Sequence, residues 1–181
     1  MSANNYTRTA IALHWLVAAL IVGTFLVGLY MHDLPLSPMK LKIYSWHKWA
    51  GVTVFLLAAV RLAWRVGHQP PDLPEGMPRW QQVAAHGLHQ LLYVFMVAVP
   101  VSGWLMSSAK GFQTVWFGVL PLPDLVGKNQ ALGDVLQTVH MSLNFAFAFL
   151  VGVHVAAALK HHLVDRDDTL VRMLPFLAKS H

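Results

Sequence analysis

Four long apolar runs alternate with short polar or proline-rich stretches along this chain. The runs cover residues 11–31, 43–64, 83–106 and 132–159, and as helices each is long enough to cross a hydrocarbon layer of about 30 Å. None shows the two-residue alternation of a membrane strand. Ala, Leu, Val and Phe dominate them, with the scattered Gly that membrane helices tolerate. The connections read HDLPLSPMK, GHQPPDLPEGMPR and a longer stretch from Ser107 to Gln130. The pattern predicts an all-α, integral membrane four-helix bundle, with residues 1–181 forming one domain.

Composition agrees with the pattern. The 181 residues are 56% hydrophobic and only 12% charged, the balance of a polytopic membrane protein. The net charge of +5 comes from basic residues at the ends of the apolar runs. No tract interleaves them with aromatics, so a nucleic-acid partner is not expected. Cysteine is absent, which excludes disulfides, thiolate metal sites, iron–sulfur ligation and c-type haem attachment. A redox centre here must be held by histidine or methionine and by packing. The eight acidic residues lie in the connections, near run ends or in the tail. A histidine-based metal transporter, which needs polar ligands along a path across the bilayer, is therefore disfavoured.

The basic residues orient the chain. With the N-terminus in the cytoplasm, Arg8, Arg61, Arg65, Arg79, Lys160, Arg166, Arg172 and Lys179 lie inside, and Lys40, Lys42, Lys48, Lys110 and Lys128 lie outside. Every arginine is then inside, and both termini are expected to be cytoplasmic. The first run is too long for a cleaved signal peptide, contains His14 and lacks a small-x-small site.

Histidines inside the runs carry the candidate chemistry, because ionisable side chains within a bilayer are costly and rarely idle. His140 and His154 are fourteen residues apart, two heptads, so they share a helix face about 21 Å apart along its axis. Run direction then sets the depths. His47 and His140 fall near the outer face, and His14 and His154 near the inner face. Two layers result, each with imidazoles from two helices, as bis-histidine haem ligation in a bundle requires.

Other positions support this arrangement. Gly28 lies two heptads beyond His14, and Gly103 two heptads beyond His89; Gly51 and Gly152 lie close to His47 and His154. Such glycines either admit a flat macrocycle or let helices pack closely. Arg61 is two heptads beyond His47, where a guanidinium either neutralises haem propionates or snorkels to the interface. His86 and His89, three residues apart in the third run, are candidates for a quinone pocket or for the inner ligand in place of His14. Met96, Met106 and Met141 read as packing, His161 and His162 as interfacial, and His32, His68 and His181 as without assigned chemistry.

The segments ALHWL at His14, WHKWAG at His47, AAHGLHQLLY, VPVSGWLMS, VH at His140 and VHVAAALKHHLVDRDDTLVRMLP together resemble the bacterial cytochrome b561 family. That family is related to the di-haem b subunits of nickel–iron hydrogenases and formate dehydrogenases. The resemblance covers nearly the whole chain. It implies two b-type haems ligated by His14, His47, His140 and His154, and a place in the bacterial inner membrane. It also implies electron transfer between membrane quinone, such as ubiquinone, and a small anionic oxidant or reductant or a periplasmic redox partner. A superoxide:ubiquinone oxidoreductase is one such activity, with the outer lysines as a steering surface. The alternative is a haem-bearing anchor or relay subunit for a respiratory dehydrogenase.

Overall fold

The computed structural model describes residues 5–74 and 76–177; Lys179 and His181, named above, lie outside the described residues. Four helices account for most of it: α1 Arg8–Asp33, α2 Pro38–Gly67, α3 Arg79–Ala109 and α4 Gln130–Lys160. All four are long and apolar enough to cross a membrane. Each extends past its apolar run, because polar residues at the ends start the helix efficiently. Thr7, Ser37 and Asn129 accept the amides of Ala10, Lys40 and Leu132 and so cap α1, α2 and α4, and Pro38 stands at the start of α2, where no amide is needed.

Many large apolar side chains on these helices are exposed, including Leu26, Val60, Val94 and Phe149. In water that surface would be untenable; in a bilayer it is the lipid-facing wall. Helix α1 packs along α2, α3 along α4, and α2 against α3. The buried core is a small plug of Val17, Ala58, Met96 and Phe147, one residue from each helix. Along the helices it falls between the level of His14 and His154 and the level of His47 and His140, and Met96 and Phe147 also line the cavity at the second pair.

The connection between α3 and α4 contains an element that the apolar pattern did not reveal. Val115–Trp116 (β1) pairs antiparallel with Leu120–Pro121 (β2) through a tight turn at Phe117 and Gly118, both at positive φ. Past α4, a single π-helical turn, His161–Asp165, ends at Arg166 in the left-handed region. The tail then folds back under the bundle. The Trp15 indole donates to the Met173 carbonyl at 2.9 Å, and Arg172 donates to the Asp72 carbonyl at 2.5 Å.

Candidate functional site

Two pairs of imidazoles, each from two different helices, face one another inside the bundle. At the end carrying Arg65, His14 of α1 and His154 of α4 have ring centroids 6.2 Å apart. At the end carrying Lys48, His47 of α2 and His140 of α4 are 6.4 Å apart. His89 of α3 joins the first set, edge-on to His154 at 5.3 Å. Helices α1 and α4 are not among the closely packed pairs, so the gap between them is open to these rings.

The surroundings of His140 settle its tautomer. Its Nδ1 lies 3.1 Å from the Val99 carbonyl and 2.9 Å from the Ser102 hydroxyl, which itself donates to the Val99 carbonyl at 2.7 Å. A carbonyl can only accept, so Nδ1 carries the proton and the Nε2 lone pair is free. Gly103 makes room for the ring: a β-carbon there would stand 2.9 Å from His140. Asn144, one turn along α4, donates to the His140 carbonyl at 2.7 Å. By contrast, the Nδ1 atoms of His14 and His47 are buried without a hydrogen-bond partner. Buried polar atoms in that state call for an explanation.

Around His47 and His140 lies a cavity of about 290 Å³, lined mainly by apolar side chains from all four helices. Gly51 and Gly152 line it, with open space where a β-carbon would point. A β-carbon on Gly28 would lie in ordinary contact with the His47 ring, 3.4 Å away. Met96 is part of the buried plug.

Arg61 and Arg65 both sit over the Tyr93 ring, at 5.8 and 5.6 Å. Arg61 is close enough for its charge to reach His14, His89 and His154. Among the described residues neither arginine pairs with a carboxylate.

The structure separates His86 from His89. His86 donates Nδ1 to the Gln82 carbonyl at 2.7 Å and lines an open groove of about 400 Å³ with Arg79, Gln82 and Gln90. The lysines of the other end divide as well. Lys48 is tied to Ser107 and to the carbonyls of Phe112 and Gln113. Lys40 holds the carbonyls of His32 and Leu34, and Lys110 holds Gln137 and Asp134. Lys42 lies over Trp46, and the stem of Lys128 crosses Gly111.

Residues 5–176 match the family profile described as prokaryotic cytochrome b561. The chain belongs to the prokaryotic cytochrome b561 family. Relatives include Cytochrome b561 homolog 2 of Escherichia coli, 34% identical over 93% of this chain and 90% of that protein. Cytochrome b561 homolog 1 of the same organism is 29% identical over 95% and 98%. A Yersinia pestis protein named probable superoxide oxidase CybB is 28% identical over 94% and 96%. As a cytochrome b561 the chain is a membrane electron-transfer protein that binds b-type haem, with multiple spans in the bacterial inner membrane.

The residues present fit such a group. They supply opposed imidazoles, one with its proton already committed elsewhere, two unpartnered buried ring nitrogens, and glycines that leave room for a flat macrocycle.

Proposed function

We propose that this cytochrome b561 holds two b-type haems, one between His14 and His154 and one between His47 and His140, and passes electrons along the bundle between them. The observation that carries this reading is the pair of ring separations, 6.2 and 6.4 Å. An ion bonded at about 2.0–2.1 Å to one nitrogen of each of two facing imidazoles sets the ring centres about 6.3 Å apart. His89 at 5.3 Å from His154 is too close to share an ion that way, and we assign it a packing role beside the site.

Each haem supplies a one-electron iron couple. The protein's part is orientation and charge. Val99 and Ser102 hold the His140 ring with its lone pair toward the gap, and such partners tune a ligand's basicity. Arg61 and Arg65, which lack carboxylate partners, balance propionate charge at the end that holds His14 and His154. The plug of Val17, Ala58, Met96 and Phe147 separates the two centres and keeps water out of the path.

We assign exchange with membrane quinone to the groove at His86, where an imidazole, Arg79 and two glutamines meet at the edge of the bundle. Reduction of a quinone takes up protons, and an imidazole can both accept and donate them. At the other end, the name of the Yersinia pestis relative supports superoxide as the electron donor. Steering of such an anion falls to Lys42 and Lys128, since the other three lysines there hold carbonyls or side chains. Both termini lie in the cytoplasm on this reading.

Potentiometric titration of the purified protein in lipid tests the proposal. Two b-type one-electron steps are expected, both reducible by ubiquinol analogues. A single step, or no b-type spectrum, would overturn it. His86→Ala is expected to raise the quinone KM while leaving both haem spectra unchanged.

A further inference from the structure

The β1–β2 hairpin lies lengthwise against α2, not over the end of the bundle. The Trp49 indole donates to the Val115 carbonyl at 2.5 Å, and the Trp116 indole donates to the Thr53 hydroxyl at 3.3 Å. The Trp49 and Phe117 rings are 5.5 Å apart. Trp49 and Thr53 follow His47 by two and six residues, so at 1.5 Å per residue the α2 positions that the hairpin touches lie about 3–9 Å further along the helix than the His47 backbone. That is below Lys48, well inside the apolar part of α2.

The composition suits that depth. From Gly111 to Pro123 the sequence GFQTVWFGVLPLP contains no charge. Phe117 and Leu120 are exposed, and Val119 is 84% exposed. Leu56 and Val60, further along α2, are exposed apolar side chains as well.

Backbone satisfaction points the same way. A hairpin in water can leave its edge carbonyls to the solvent; in hydrocarbon a carbonyl without a donor is costly, so the strands flanking the turn should find donors within the protein. Here the Val115 carbonyl receives the Trp49 indole, the Leu122 carbonyl receives Gln113 Nε2 at 3.2 Å, and the Pro123 carbonyl receives the Trp104 indole at 3.0 Å. The turn closes on itself through Gly118 to Val115 and Val119 to Trp116, both 3.1 Å, and Leu122 donates to Thr114 at 2.8 Å. Pro121 and Pro123 have no amide to satisfy.

We infer that the hairpin is a re-entrant element, with Phe117, Val119 and Leu120 inserted among the acyl chains of the leaflet at the Lys48 end. This inference does not depend on haem ligation. The absence of cysteine allows a clean test. Val119→Cys, Leu120→Cys and, as a water-facing control, Lys128→Cys are purified and reconstituted alone in phosphatidylcholine vesicles at about one protein per two thousand lipids. Each is treated with a membrane-impermeant maleimide after the vesicles are opened by extrusion with reagent on both sides. The control is expected to react at least tenfold faster than either hairpin thiol, and all three to react alike in dodecyl sulfate. Because Val119 is exposed in the protein itself, protection there reports cover by lipid. Labelling of the hairpin thiols as fast as the control would overturn the inference. So would protection that appears only at high protein density, which would mean that a second copy covers the hairpin. If one hairpin variant fails to fold, the other decides.

Discussion

Gly103 and His140 meet so closely that a β-carbon on the glycine would stand 2.9 Å from the imidazole. No real side chain tolerates that distance, so Gly103→Ala must move the ring or the helix. Overpacking of this kind costs about 1–3 kcal/mol. The expected outcome is loss or altered spectrum of the haem at the Lys48 end, with the other haem unchanged. Low-temperature difference spectra and thermal melts of the variant check it.

Ser102→Ala tests a smaller effect. The substitution removes one hydroxyl from the group that holds His140 Nδ1, but leaves the Val99 carbonyl in place. Loss of such an outer hydrogen bond typically lowers metal affinity by about 10–100-fold. We expect the haem to remain with a shifted midpoint potential, and Ser102→Thr to restore it. A potential identical to the parent protein would show that Val99 alone orients the ring.

At the Arg65 end, three histidines cluster but only one pair has the spacing for a shared ion. His14→Ala is expected to abolish the haem there, whereas His89→Ala is expected to retain it with a modest change in potential. The α-band of the reduced protein distinguishes the two. Retention of both haems in His14→Ala, with loss in His89→Ala, would exchange their roles.

The tail contributes a pH-dependent latch. His161 Nδ1 lies 2.7 Å from Asp167 and 3.1 Å from Asp165, and the Thr169 amide donates to Asp167 at 2.9 Å. Burial pushes the Asp167 carboxyl up, but the bonds from Thr169 and His161 outweigh it and hold the group below its ordinary range. A carboxyl with a depressed native pKa stabilises the fold above its unfolded pKa, about 3.9, and that contribution fades as pH falls through the native value. The Asp167 contribution should therefore be constant from pH 8 to 5 and lost only below about pH 4. Its reporter is the Trp15–Met173 contact, read as the fluorescence difference between the parent and Trp15→Phe. Asp167→Asn should weaken the latch by about 1 kcal/mol at neutral pH.

The helical architecture was legible because hydrophobic length and continuity alone decide whether a segment can cross a bilayer. The grouping of His14 with His154 and of His47 with His140 was equally legible, since the level of each along the bundle follows from run direction and a rise per residue that does not vary. What the spacing could not resolve was orientation at finer angles. Three residues turn a helix by about 300°, so His86 and His89 differ by about 60°. That is enough to send one to the groove and the other to His154. Nor could composition show that Lys40, Lys48 and Lys110 spend their charge on nearby carbonyls and side chains. The hairpin escaped notice because each strand is two residues long and its depth depends on Trp49 and Thr53, which are more than sixty residues away in the chain. Ser102 sat within a recognisable motif, but its role depends on the approach of α4, which no local pattern records.

The most direct test of the account is the haem b content per chain, determined chemically on the purified protein and on the single alanine variants of His14, His47, His140 and His154. The account predicts two haems in the parent protein and one in each variant, with His14 and His154 variants losing the same haem and His47 and His140 variants losing the other. A parent protein with one haem or none, or any of the four variants that retains both, would contradict it.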